Sequence, residues 1–346
     1  DYRAYANIFG QVKYAVSPAA RELVTAENKK RKEMKPVKGK QPLPPLREVF
    51  LAAQATALPD PDTNRRLPAR ALGGPEIPVV NSQDARVALW EWLRSEDNPY
   101  FARSFVNRVW GHYFGIGLVN PVDDFSLANP PSNPKLLDAL AQDFVAHHYD
   151  IRRLERTILN ARVYQLTAVP NASNRQDHHN FSHSLVRPMM AEVVADVLDS
   201  ALGVSGDLKA PDLPPGVRAI EIAPSRVQNG NLAYLFRIFG RPPRTSACDC
   251  QRAQAPALPQ ALYLMDDPSV LTKLQAPNGR LKQLLRSNKT DDEILDELFL
   301  ATLTRYPTEA DRQTFQECRA QSKDRQTAFV TTLWALINLK EFILNH

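Results

Sequence analysis

Asn98-Pro99-Tyr100-Phe101-Ala102-Arg103-Ser104-Phe105-Val106-Asn107-Arg108-Val109-Trp110-Gly111-His112-Tyr113-Phe114-Gly115-Ile116-Gly117 is the stretch that decides how the rest of the chain reads. Phe101, Phe105, Val109 and Tyr113 recur every four residues, a spacing that stacks large side chains on one face of an α-helix. Asn98 before Pro99 supplies a cap and a first-turn proline. Gly115 and Gly117 supply the stop, because glycine tolerates the left-handed conformation at helix ends. Arg103, Asn107 and Arg108 then fall on the polar side of the helix, with Arg103 and Asn107 four residues apart on a shared face.

The same grammar extends in both directions. Val87, Leu89, Trp90 and Leu93 follow Asp84 as one apolar stripe. Ser132-Asn133-Pro134 precedes Leu136, Leu137, Leu140, Phe144 and Val145, and Asp150 precedes Ile151, Leu154, Ile158 and Leu159. Further helices are predicted over 189–202, 291–304, 308–320 and 324–342. Helix follows helix across short turns, so the predicted fold class is mainly α: an irregular helical bundle with Pro-rich connectors and at most a few short strands. Those strands are expected near 46–53, 219–222 and 232–238. Residues 1–28 read as the helix-compatible tail of a preceding domain and 29–80 as a basic, Pro-rich connector. The helical domain is 81–346, with a subdivision expected near 205–260.

The chain has 346 residues, 43% of them hydrophobic and 23% charged, enough to bury a core without disulfides or metals. Its formal net charge of +5 hints at nucleic acid until it is located. Residues 29–40 alone hold seven basic side chains and one acidic one, and the remainder is close to neutral. Like-charge blocks of this kind sit in solvated segments, and aromatic stacking residues are missing from it, so no nucleic-acid partner is expected. The longest apolar stretch, 329–339, is broken by Thr331, Thr332 and Asn338 and is too short to span a membrane. Asp1-Tyr2-Arg3-Ala4 has neither the basic start nor the apolar core of a signal peptide. A trimmed N-terminus is expected from the missing Met.

Four groupings carry potential chemistry. Cys248 and Cys250, one residue apart, suit thiol exchange or soft-metal binding, with Cys318 or a histidine as further ligands. Small buried thiols are the plainer expectation, and no metal is assigned. His178, His179 and His183 beside Asp177 have cation-binding residue types but lie in an Asn- and Ser-rich loop, where ligands lack a fixed surround. His147-His148 closes a helix end, where an imidazolium favours the dipole. Asp123 and Asp124, with Arg103, are the candidate catalytic residues of a sugar-polymer hydrolase. Adjacent carboxylates in extended chain point opposite ways, so the favoured reading pairs one with Arg103 or Arg108 and lets the other cap a turn. Arg103, Asn107, Arg108 and Trp110 then form a structural network locking the helix onto the Asp123 loop. Glu192, Asp196 and Asp199, spaced four and three apart, read as a solvated helix face.

A family resemblance emerges from Asn98–Arg103, Val106–Trp110, Phe114–Val119, Pro121–Phe125, Asn129–Pro134 and Arg156–Asn160, and later from Cys248–Cys250, Leu300–Arg305, Leu333–Asn338 and Lys340–Phe342. Over roughly residues 70–346 the chain resembles the planctomycete domain of unknown function number 1553, also called the planctomycete cytochrome-associated domain. Residues 187–192 and 262–267 depart from the family pattern, the latter showing Tyr and Asp where the family tends to have His and Asn. The resemblance implies an extracytoplasmic, multidomain setting, with c-type haem on an associated cytochrome-like domain or partner. No haem-attachment pattern occurs in this chain, so no cofactor is expected on it. The expectation is a non-catalytic docking or scaffolding module. A hydrolase at Asp123/Asp124 and a thiol-redox partner at Cys248/Cys250 are the alternatives.

Overall fold

The computed structural model describes residues 2–33, 45–80, 83–96, 98–206, 208, 213–214, 216–222, 227, 229–241 and 258–345. Among these the chain is mainly α, with fifteen α-helices and two short two-stranded sheets. It divides into two compact units, Asp1–Tyr164 and Gln165–His346.

The first unit opens with α1 (Tyr2–Ala6), a 3₁₀ turn (Asn7–Phe9), β1 (Val12–Ala15) and α2 (Arg21–Glu33). The basic run therefore begins inside a helix. Lys30, Arg31 and Lys32 form the last turn of α2, where cations favour the carboxyl end of the helix dipole. The Pro-rich stretch contributes β2 (Glu48–Leu51), antiparallel to β1 with Val12 opposite Leu51 and Ala15 opposite Glu48. Ala69, Ala71 and Ile77 from the same stretch are buried in one cluster with Ile8, Ala85 and Leu89. Asn7, 3% exposed, ties this layer down. Its carboxamide donates to the carbonyls of Leu58 and Leu67, at 3.1 and 3.0 Å, and accepts from the Leu58 amide at 2.5 Å.

Four longer helices complete the unit: α3 (Ala85–Leu93), α4 (Phe101–Phe114), α5 (Pro134–Ala146) and α6 (Ile151–Leu159). Three of their starts follow the sequence. The side chains of Asp84, Asn133 and Asp150 each accept a backbone N–H of the first turn, satisfying donors that a helix end otherwise leaves orphaned. Helix α4 starts later than the sequence suggests: Tyr100 is its N-cap, Pro99 precedes the helix, and Asn98 organises the approach by accepting from the Tyr100 and Phe101 amides, each at 2.9 Å. Gly115, at φ 82°, ends α4 in the left-handed conformation.

The second unit begins with an irregular loop and then runs α7 (Ala191–Leu202), a 3₁₀ turn (Ala219–Glu221), α8 (Gly230–Ile238), α9 (Leu258–Asp266), α10 (Pro268–Leu274) and α11 (Arg280–Arg286). It closes with α12 (Asp291–Leu303), α13 (Glu309–Gln321), α14 (Arg325–Asn338) and α15 (Lys340–Ile343). A two-residue pairing joins β3 (Arg187–Pro188) to β4 (Leu344–Asn345). Leu198, Ile294, Leu295, Leu298, Phe329 and Ile337 form the fully buried centre of one large core. The strands expected at 219–222 and 232–238 are a 3₁₀ turn and a helix instead. Asn229 accepts from the Asn231 and Leu232 amides and so starts α8.

Candidate functional site

Helix α4 presents two working faces. Val106, Asn107, Trp110 and Phe114 are its buried residues. The stripe expected to be core, Phe101, Phe105, Val109 and Tyr113, is only half-buried. The difference has a local cause. Asn107, fully buried, faces the Gly117–Val122 turn and turns the helix so that its own side comes inward. Its carboxamide donates to the carbonyls of Val119 (2.9 Å) and Val122 (3.0 Å) and accepts from the Val119 amide (2.9 Å). Gly117 permits this approach, since a Cβ there would stand 2.2 Å from the Val119 carbonyl oxygen and 2.9 Å from the Asn107 carboxamide.

The charged residues of this region are engaged with one another in a pattern close to the ion-pair reading of the sequence. Arg108 pairs with Asp123, and Arg103 pairs with Asp138 on α5. Asp124 accepts from the Ser126 amide at 3.2 Å, capping a turn. Arg103, Asp123 and Asp124 thus have separate partners. Trp110 is 2% exposed and stacks on Phe114 with ring centres 4.1 Å apart.

The outward side of α4 instead forms one wall of a cleft of about 440 Å³. Phe101, Ser104, Phe105 and Arg108 meet Trp92 and Leu93 from α3, Tyr5 from α1, and Leu72, with Asn98 and Tyr100 at the entry to α4. Edge-to-face contact between Trp90 and Phe101, centres 6.0 Å apart, and stacking of Phe105 on Phe144 at 5.1 Å hold this wall in place. Both geometries suit the ring quadrupole. Tyr100 in the lining and Trp90 next to Phe101 are each about half exposed. A larger, more polar hollow of about 650 Å³ lies along residues 54–79. Its charged residues are Arg66 and Glu76, the latter held by Arg70 at 2.6 Å, and the carboxamide of Asn7 is consumed by the backbone.

The remaining sequence candidates lie elsewhere. Cys248 and Cys250 fall outside the described residues. Cys318 is half-buried on α13, its Sγ 3.9 Å from the Ala328 carbonyl. His147 closes α5, with Nδ1 2.8 Å from the Asp143 carbonyl. In the 171–183 loop Asp177 accepts from the amides of His179 (3.0 Å), Asn180 (2.7 Å) and Ser182 (3.0 Å), and from the Ser182 hydroxyl. These bonds, the Ser182 hydroxyl first among them, hold its carboxyl far below the usual carboxylate range. No group of three potential metal ligands gathers among the described residues.

The acidic stripe of α7 is not a solvated face. Glu192 is 2% exposed, and its carboxylate lies 2.8 Å from Nε of Arg241, which also donates to the Ile222 carbonyl at 2.7 Å and covers the Phe236 ring. Asp196 accepts from the Ala219 and Ile220 amides at 2.7 and 3.1 Å. Asp199 pairs with Lys273, and burial pushes its carboxyl upward against that partner's pull. Periodicity held the missed signal: Glu192, Asp196 and Asp199 share the face of Ala195, Leu198 and Leu202 closely enough to be drawn inward.

The family model described as PSD1, protein of unknown function (DUF1553), matches residues 85–318. The chain belongs to this planctomycete-type family. No curated protein and no solved structure matches it. The matched span contains α3 and α4, the Asn107 turn and the Glu192–Arg241 pair, while Tyr5 and Leu72 of the cleft precede it. Among the described residues no helix is long and apolar enough to cross a membrane.

Proposed function

We propose that the chain is a non-catalytic helical docking module of an extracytoplasmic, cytochrome-associated multidomain protein, and that the aromatic cleft on α3 and α4 is where it docks. One observation carries the reading: the cleft wall is mostly aromatic and aliphatic, with Asn98, Ser104, Arg108 and the phenols of Tyr5 and Tyr100 as its polar groups. The described lining holds no carboxylate, imidazole or thiol, and its hydroxyls are those of Tyr5, Tyr100 and Ser104, none with a neighbouring base in the lining to activate it. Trp, Tyr and Arg in a hollow are instead the residue types that dominate recognition surfaces. The hydrolase alternative draws no support from Asp123 and Asp124, which are occupied by Arg108 and a turn amide.

The test is site-directed capture. A chain carrying a photo-crosslinking residue in place of Tyr100 is expected to label a haem-staining partner in an extract of its source. Ser104→Trp, which fills the cleft without removing a packed side chain, is expected to abolish that label. Equal labelling by the filled variant, or a labelled product without haem, would overturn the reading.

A further inference from the structure

Helix α9 inverts the usual polarity of a surface helix. Its buried side carries Gln260, Tyr263 and Leu264, and Gln260 gives its amide to the Ile238 carbonyl at 3.1 Å. The other side carries Leu258, Leu262 and Met265, which are 72%, 52% and 44% exposed. At about 100° per residue these three fall within an arc of about 60°. They therefore form one stripe, whereas apolar side chains scattered singly over a surface need no explanation. Aromatic rings border it. Trp334 of α14 donates its Nε1–H to the Met265 carbonyl at 3.0 Å, and Tyr234 of α8, 40% exposed, stands with its ring centre 6.1 Å from that of Tyr263.

Two charges stand at the edge of this face. Asp266 follows Met265 at the carboxyl end of α9, and the Arg237 guanidinium lies over the Tyr234 ring, 5.2 Å from its centre. Among the described residues neither side chain holds an ion pair or a hydrogen bond.

The combination selects the occupant. A bilayer surface is a poor match: α9 is nine residues long, and interfacial helices carry several basic residues on the polar side, where this face ends in a carboxylate. A partner must bring an apolar stripe together with one cation and one anion at its edge. A second copy of the chain brings all three, because a two-fold axis sets each group of one copy against its complement in the other. The stripe is suited to that operation. Antiparallel packing of two α9 helices places Leu262 near the axis and Leu258 opposite Met265 of the other copy. It also brings Asp266 toward the amino end of the opposing helix, where the dipole favours an anion.

We infer that the α9 face is a self-association surface, on which two copies pack α9 antiparallel and Arg237 of each pairs with Asp266 of the other. The stripe shares no residue with the aromatic cleft. It offers roughly 400 Å² of apolar surface per copy, and with its charged rim the pair buries about 1,000 Å² in total, the low end for a specific contact. The dimer is accordingly weak and dissociates in the micromolar range.

Sedimentation equilibrium of the whole chain, across a concentration series reaching high micromolar, tests this. A reversible monomer–dimer equilibrium is expected, and Leu262→Lys should abolish it with helical circular dichroism unchanged. Arg237→Glu and Asp266→Arg alone each set like charges together and should weaken the dimer about tenfold. Combining them exchanges the signs and should restore it. A chain that stays monomeric throughout, or a dimer unmoved by Leu262→Lys, overturns the inference. A dimer sensitive to Leu262→Lys in which the combined exchange is no tighter than either single one overturns the two-fold pairing. Capture of a monomeric chain by phosphatidylcholine vesicles, lost in Leu262→Lys, would give the stripe to a lipid surface and overturn self-association.

Discussion

At the scale of single residues, one buried carboxamide and one buried ion pair each organise their surroundings, and they do so in different ways. Asn107 is neutral and satisfied by three backbone bonds to one turn. Replacing it by Leu removes those bonds and strands the Val119 amide and two carbonyls in the interior. An unsatisfied buried group costs about 1–3 kcal/mol, so Asn107→Leu is expected to lose about 3 kcal/mol or more in denaturant titration. Asn107→Asp should be no better, since a carboxylate would then face two carbonyl oxygens. Glu192 and Arg241 are charged, with side chains 2% and 4% exposed. Breaking such a pair from one side leaves an uncompensated buried charge and costs about 3–5 kcal/mol, whereas replacing both members by apolar residues is often close to neutral. Glu192→Met is therefore expected to be strongly destabilising, and adding Arg241→Met should recover most of the loss. A double variant no more stable than the single would mean that the Arg241 bond to the Ile222 carbonyl, not the ion pair, holds α7 in place.

At the scale of elements, the 171–184 loop is organised by Asp177, whose carboxylate replaces regular structure as the acceptor of three backbone amides. Its acidity is enhanced in the folded chain relative to the usual value of 3.8. The sign follows from linkage: a depressed carboxyl contributes stability that is complete above the unfolded value and is lost as pH falls below it. Pepsin cleavage of this loop is thus expected to stay slow down to about pH 4 and to accelerate below it. Asp177→Asn should cleave quickly at both ends of that range. Elements with strong caps and a long stripe were legible in the chain itself: Asn133 with Pro134, Asp150, and the Thr290 and Thr308 capping boxes all start helices where they stand. Helix α8 was not, because nine residues rich in apolar and aromatic side chains satisfy strand and helix patterns alike. Helix α9 carries Pro259 in its first turn, where the missing N–H costs no helical bond. The spacing of Glu192, Asp196 and Asp199 shows that they share a face but not that Arg241, about fifty residues after Glu192, returns to pair with it. The cleft was equally hidden. Its α4 wall is visible in the sequence, but Tyr5 and Leu72 arrive from stretches read as a tail and a connector.

At the scale of the whole molecule, charge is the property that decides how partners are met. The net charge of +5 is concentrated in residues 29–40, and elsewhere acidic and basic side chains pair locally, as Arg305 does with Asp311 and Glu341 while covering the Phe299 ring. A charge block separated in sequence from the cleft steers association over about a Debye length, roughly 8 Å at physiological salt, and adds little to a short-range bond. Two behaviours should therefore separate. Exchanging Lys29, Lys30, Lys32, Lys35, Lys38 and Lys40 for Gln is expected to abolish retention on a heparin column while leaving the crosslinking yield from position 100 within about twofold. Ser104→Trp is expected to do the reverse. If the lysine exchange weakened crosslinking as much as Ser104→Trp does, recognition would belong to the basic run and the aromatic cleft would be a bystander. The pairing of Arg103 with Asp138 and of Arg108 with Asp123 argues against that outcome, because a helix face neutralised in place leaves recognition to its aromatic surface rather than to its charge.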